Sequence, residues 1–377
     1  MVINPPLILV SALFFLALAS ALYLASWLIA SLVLHLGRNR LSNAANKRVL
    51  MAALVLPLIL AAIPTLSGTT LRHSHAAAAI EHHSMACQQM FTRLFAEESA
   101  GTSGMVSEVS GILVNGIAWL FILVGLFLVL RLIRATVHLE SGLFRYLSLP
   151  SPKLFEALAR VGSQMPGVST WRFFECSFPA AYSSVLGLRR VRCVLSRDFV
   201  AEATEDELDA VIAHEASHLR SHDVSATFVL AVLNCLFFPL RPVRLLARRW
   251  REAAELACDD AAVTATHQPL AMAAAILRAN GSPIRDTASA PNRSRPLPAV
   301  VMPFADETAC SPGKRVERLL AQAQQVSFPP TSESPLQVWS AWAATLALGG
   351  IGIALLLSPG MICYAHCSLE AVARLLP

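Results

Sequence analysis

Charge is what this 377-residue chain has least of: only 15% of its residues are charged, against 55% hydrophobic. One soluble core of this size does not need so much apolar side chain, so the composition argues against an ordinary water-soluble domain and points to a membrane. A continuous basic stripe is also missing. The net charge of +5 sits mostly in short basic clusters beside apolar runs, which argues against nucleic acid as a direct partner. The opening residues, MVINPP, hold no Lys or Arg. Without that basic start, and with a first apolar run too long for a signal core, the N-terminus reads as a retained anchor. Internal repeats are absent, and low complexity is confined to the alanines at 76–79.

Four apolar runs are present that are long enough to cross about 30 Å of hydrocarbon as helices. They are Leu7 to Leu34, Val49 to Leu66, Ile112 to Leu130 and Val338 to Leu357. Basic residues in short loops mark the cytoplasmic side. Arg38, Arg40, Lys47 and Arg48 follow the first run, and Arg131 and Arg134 follow the third. The weakly acidic loop at 67–111 is therefore expected outside, with both termini, and the bulk of 131–335 inside. The expected divisions are three spans with an external loop over 1–134, a soluble domain at 135–280, a connector at 281–335, and a fourth span with a short external tail at 336–377.

Cysteine usage agrees with this division. Cys176, Cys193, Cys235 and Cys258 fall on the reducing side, and Cys87, Cys363 and Cys367 outside, where a Cys363–Cys367 bond and isolated thiols both stay open. The outer loop also carries His73, His75, His82 and His83 beside Cys87, donors enough for a metal but without a defined ligand spacing.

Between the third and fourth runs the pattern becomes that of a folded domain. An amphipathic helix is expected at Leu154 to Gly162 and a half-buried strand at Arg189 to Ser196, which could accept an extended substrate as an edge or serve as an ordinary structural strand. Thr204 can cap a helix while Glu207, three residues on, closes a capping box. That helix is expected to run through LDAVIAHEASHLRSH. A second covers roughly Arg241 to Ala265, a third amphipathic stretch lies near Met272 to Ala279, and Gly281 to Gly313 reads as a connector with little periodicity.

His214-Glu215-Ala216-Ser217-His218 is an HExxH motif. On a helix, residues four apart share a face, so both imidazoles can meet one tetrahedral zinc ion. Glu215 lies about 100° around the axis. It can reach the open coordination position, take a proton from the attacking water and later hand it to the leaving amine. A catalytic zinc usually takes three protein ligands. His222 is too far along a straight helix, about 12 Å in rise from His214, and is left with a surface or substrate-facing role, including contact with the tetrahedral intermediate. Glu255 is the better third ligand, with Asp259 on the same face to accept a hydrogen bond from a ligating imidazole. Glu252 is held in reserve, and Cys258 is assigned to packing.

The segment Val224 to Leu240 tests this scheme. A single crossing there would put Glu255 across the bilayer from His214 and His218, so a re-entrant, interfacial or protein-buried helix is expected, turning at Asn234 or Pro239.

HEASHLRSHD followed by ELACDDAAV, with ATEDELDAVIA before them, resembles the BlaR/MecR family of integral-membrane zinc metallopeptidases. The match extends to YSSVLGLRRVRCVLS ahead of the HExxH helix and GKRVERLLAQ after it, and a more distant similarity is to HtpX-like membrane proteases. The resemblance implies zinc held by His214, His218 and Glu255, with Glu215 as base. It also implies regulated cleavage of a cytoplasmic protein, typically a small DNA-binding repressor, sometimes after self-cleavage. Sensor members carry a penicillin-binding domain beyond the last span, whereas only Ser358 to Pro377 follow here. The expected fold is mainly α: four transmembrane helices in the inner, cytoplasmic membrane, with a cytoplasmic α+β gluzincin-like metallopeptidase domain. Two other readings stay open, a quality-control protease for membrane proteins and a non-catalytic receptor or scaffold.

Overall fold

The computed structural model describes residues 5–37, 41–70, 103–143, 146–165, 168, 172–176, 183–187, 191–281, 301–303, 310–324 and 350. Three long helices come first: α1 (Pro5–Leu36), α2 (Asn43–Thr70) and α3 (Ser103–Leu143). Each contains a stretch long and apolar enough to span a membrane, at Leu18–Leu36, Asn43–Ala62 and Trp119–Gly142. Leu24, Leu28, Leu32 and Leu36 form an exposed stripe at every fourth position of α1, and Leu123, Phe127 and Leu130, four and then three apart, form another on α3. Such stripes suit lipid contact. On its other face α1 binds α2 through side chain to backbone hydrogen bonds, Tyr23 Oη donating to Leu54 O and Ser26 Oγ to Ala53 O, both at 2.8 Å. Bonds of this kind between helices hold together where no water competes. The fourth expected span and the histidine-bearing outer loop lie outside the described residues, as do Cys87, Cys363 and Cys367.

The part that follows these helices combines further helices with a small mixed sheet. Its elements are β1 (Leu147–Ser148), α4 (Pro152–Gln164), β2 (Phe173–Cys176), β3 (Ser183–Leu186), β4 (Arg192–Ser196), α5 (Arg197–Glu202) and α6 (Glu205–Arg220). After these come α7 (Asp223–Leu236), α8 (Arg241–Thr266), α9 (Pro269–Gly281), β5 (Val301–Pro303) and α10 (Pro312–Gln324). The sheet order is β1-β2-β4-β3-β5, with β2 and β4 parallel and the other pairs antiparallel. The expected strand at Arg189 to Ser196 is therefore an interior one. With β2 on one side and β3 on the other, β4 has no open edge for a substrate; among the described residues the edges are β1 and β5.

β5 comes from the segment read as a connector. Val185 of β3 pairs with Met302, so part of 281–313 is built into the sheet, and the next described element is α10. Periodicity could not reveal a three-residue strand whose partner lies more than a hundred residues earlier.

Helix α6 is the centre of the core. Leu208, Val211 and Ile212 are buried against Leu154 and Leu158 of α4, Phe173 and Leu195 of the sheet, and Met272 and Ile276 of α9. Thr204 caps α6 as expected, its hydroxyl accepting from Glu207 N while the Glu207 carboxylate accepts from Thr204 N at 3.0 Å. The helix ends at Arg220, two residues short of the expected limit, because His222 adopts a left-handed backbone with φ of 56° and turns the chain into α7.

Helix α7 is 14 residues long, about 21 Å at 1.5 Å each. It does not carry the chain across to a second side. The chain turns over Phe237–Leu240, beyond Asn234 and around Pro239, and α8 comes back beside α1 and α2. Leu230, Leu233 and Phe237 pack with Tyr23, Leu54, Leu246 and Trp250, and Phe238 stacks on Phe121 of α3 with ring centroids 5.0 Å apart. A helical hairpin is thus wedged among the candidate spans, and Glu255 returns to the level of the HExxH motif.

Candidate metal centre

Helix α6 presents His214 and His218 one turn apart, and α8 lays Glu255 across them. Their rings meet edge to face with centroids 4.8 Å apart. The Nε2 atoms are 3.1 Å apart; Glu255 Oε2 lies 3.6 Å from that of His214 and Oε1 3.5 Å from that of His218. All three residues are buried.

Behind each ring stands a carboxylate. Asp259 Oδ1 is 3.0 Å from His214 Nδ1, and Asp223 Oδ2 is 2.8 Å from His218 Nδ1. A carboxylate only accepts, so Nδ1 of His218 donates to Asp223, and the Asp259 carboxylate beside His214 Nδ1 favours the same tautomer there; each Nε2 then keeps its lone pair. Two lone pairs and a carboxylate then face one another in a dry space, an arrangement that repels itself unless a cation lies between them. Metal bonds of roughly 2.0–2.1 Å at a tetrahedral angle separate two ligand atoms by about 3.3 Å, close to the spacing seen. The donor set therefore fits a small divalent ion.

The charge balance points the same way. Glu215, Glu255, Asp259 and Asp223 are all buried, and two cations face this group, Arg315 and Lys47. Two negative charges are left, the complement of a divalent ion. Arg315, on α10, is 1% exposed and sets Nη1 3.0 Å from Glu255 Oε2; its Nη2 and Nε donate to the two oxygens of Asp259 at 2.6 and 2.8 Å. Burial alone would raise the pKa of Glu255, but the Arg315 charge beside it holds it well below the usual carboxylate range. Asp259 is lowered against the same burial, by Arg315 and by His214. Asp223 is lowered too, by His218 and Lys47.

The other candidates separate clearly. Glu215 is completely buried on α6 beside His214. Glu252 is turned away from the cluster, a third exposed, with Lys314 Nζ 3.9 Å from its Oε1. His222 is exposed in the turn between α6 and α7, outside the convergent set, because the helix that was to carry it has already ended. Cys258, assigned to packing, is buried but lies against the cluster: its Sγ is 3.3 Å from His218 Nδ1 and 3.7 Å from Asp223 Oδ2. Burial pushes its thiol up to about 11, so it faces His218 as a neutral group. None of the five cysteines among the described residues, Cys310 included, is in a disulfide.

Three residues around the centre escaped sequence reasoning: Asp223, Lys47 and Arg315. Asp223 closes the HEASHLRSHD string and Arg315 lies in GKRVERLLAQ, but nothing local in either stretch tells which side chain turns inward. Lys47 was read as one of several topology charges.

Comparison with known proteins gives the chain a family. A protease HtpX homolog from Thermoplasma volcanium is 31% identical over 85 residues, which cover 22% of this chain and 27% of that relative. The family model described as BlaR1 peptidase M56 matches residues 15–290, taking in α1, α2 and α3, the HExxH helix and Glu255. A match over well more than half of the sequence, enclosing a buried pair of imidazoles and a carboxylate among membrane-length helices, shows that this chain belongs to the BlaR1 peptidase M56 family.

Proposed function

We propose that this membrane peptidase is a zinc endopeptidase, with His214, His218 and Glu255 as metal ligands and Glu215 as general base. The observation that carries the reading is the convergence of two Nε2 atoms and a carboxylate in one buried space, each ring held from behind by its own carboxylate. Zinc bound there supplies Lewis-acid activation of the attacking water and of the scissile carbonyl. Glu215 takes the proton of that water and returns it to the leaving amine. Asp259 and Asp223 fix the tautomers of the two rings, and Arg315 keeps Glu255 anionic. His222 stands exposed at the helix joint, where a substrate chain can reach it, and is assigned a substrate or transition-state contact.

The substrate side is the cytoplasm of a cell bounded by an inner membrane. Support comes from the basic joint between α1 and α2, which marks the inner face: Asn43 Nδ2 donates to Asp260 at 2.8 Å, and Lys47 pairs with Asp223, so this joint and the metal centre share a side. With both termini outside, the substrate is a cytoplasmic protein, a DNA-binding repressor in a signalling pathway by resemblance to the family. The likeness to a protease HtpX homolog favours a second reading, a membrane-protein quality-control protease.

Cleavage profiling of cell extracts with the wild-type protein and with Glu215→Gln, alongside metal analysis of both, tests these readings. One or a few soluble substrates cut only by the wild-type protein support regulation, and broad cleavage of membrane proteins supports quality control. Cleavage that survives Glu215→Gln rules out the assigned mechanism.

A further inference from the structure

We propose that Lys47, on membrane helix α2, is a positioning residue of the metal centre. It holds Asp223 in the orientation that fixes the His218 ring, so the seating of α2 against the peptidase helices sets how tightly the centre holds its metal. The inference rests on the zinc-peptidase reading and goes beyond it by linking a spanning helix to one ligand.

The two oxygens of the Asp223 carboxylate face different elements. Oδ1 takes the Lys47 ammonium, and Oδ2 takes His218 Nδ1 with the Cys258 thiol 3.7 Å away. The linkage from α2 to the ligand atom of His218 is thus a single ammonium, a single carboxylate and one ring. The Lys47 side chain is 15% exposed and Asp223 fully buried, and the ammonium also lies 5.6 Å from the ring centre of buried Trp250. Groups on α7 and α8 thereby fix the position of a charge that α2 supplies.

Docking of α2 does not need that charge. Leu50, Ala53 and Leu54 of α2 already pack on Leu246, Trp250 and Ala254 of α8, and Asn43 makes a separate polar contact to Asp260 one turn away. Burying an ammonium is costly unless it is well paired, so an apolar residue would dock the helix more readily. What Lys47 adds is neutralisation and aim for Asp223. A shift of α2 by even a couple of ångströms separates the ammonium from the carboxylate, leaving Asp223 unbalanced and no longer held in its aim at the His218 ring. A signal that moves the membrane helices therefore reaches the centre without any rearrangement of α6.

The test uses the full chain in detergent and four variants: Lys47→Met, Lys47→Gln, Lys47→Arg and Asn43→Ala. Zn2+ affinity is measured by chelator competition, the visible spectrum is recorded after Co2+ loading, and the melting temperature is taken without metal. Removing an outer hydrogen-bonding partner of a ligand commonly weakens metal binding by about 10–100-fold. That loss is expected for Lys47→Met, together with altered Co2+ bands. Lys47→Arg is expected to recover most of the affinity, and Asn43→Ala to stay within about threefold of wild type on the same scale. Lys47→Gln replaces Lys47→Met under the same threshold if the latter does not fold. Wild-type affinity in the charge-removing variant, or an equal loss in Asn43→Ala, overturns the positioning role and leaves the zinc reading standing. A wild-type protein that takes up no stoichiometric metal overturns both.

Discussion

Glu215 is one position from a proposed ligand and shares its burial, yet the helix turns it about 100° away from the metal-facing side. Replacing it with Gln keeps the shape and removes the proton acceptor. Glu215→Gln is therefore expected to bind metal stoichiometrically and to lose roughly 10²–10⁴-fold in kcat, measured by metal analysis and a peptide-cleavage assay on one preparation. Arg315 acts differently, as the shared counter-charge of Glu255 and Asp259. Arg315→Met leaves two buried carboxylates without their cation and is expected to cost about 3–5 kcal/mol in the metal-free protein, the usual result of breaking a buried ion pair from one side. An unfolding curve within about 1 kcal/mol of wild type contradicts that account. His222 carries a left-handed backbone that costs most residues roughly 1–2 kcal/mol. Substitution by Gly is expected to keep or slightly raise the melting temperature, which separates any effect on cleavage from an effect on folding.

At the scale of elements, α6 shows how local chemistry places a site. Its capping box starts the helix at a defined residue, and that start sets the angular position of His214 and His218 over the core. Thr204→Ala is expected to cost about 1 kcal/mol. Glu207→Ala should cost more, because its carboxylate also pairs with Arg278 of α9 at 3.2 Å; thermal melts of the two variants, compared in parallel, check the order. The α7–α8 hairpin shows the opposite case. Its apolar length resembles a short span, but the chemistry of the centre requires the chain to return, and the turn around Pro239 makes it do so. The HExxH spacing, the cap at Thr204 and the ranges of α8 and α9 were legible because each depends on neighbours within a few residues. The interior place of β4, the strand at Val301–Pro303 and the early end of α6 were not, since pairing partners and the His222 backbone are decided by contacts far along the chain.

For the whole molecule, a metal held by residues of two separate helices would bind the folded state and not the unfolded one. Metal present at a thousand times its dissociation constant adds about 4 kcal/mol to stability. Chelation is thus expected to lower the melting temperature, and re-addition of Zn2+ to restore it; an indifferent melting curve contradicts a metal at this place. Sidedness is also a property of the whole. Single cysteines introduced at the exposed positions Arg48 and Ala321, in a background without other cysteines, are expected to react with an impermeant reagent only from the cytoplasmic face. Labelling of the two from opposite faces contradicts the shared side of the α1–α2 joint and the centre.

Sequence by itself determined the membrane character, three of the long helices, the capped HExxH helix and the residues His214, His218, Glu255 and Asp259 as a candidate set, because hydrophobic length, capping and i, i+4 spacing are short-range properties of a chain. Only the tertiary structure decided which residues complete the charge balance. Lys47 is 176 positions from the carboxylate it holds, and Arg315 is 56 from Asp259. No pattern along a sequence specifies which distant ammonium or guanidinium a buried carboxylate meets. That choice is made by helix packing, where the cost of an unpaired buried charge leaves few arrangements stable.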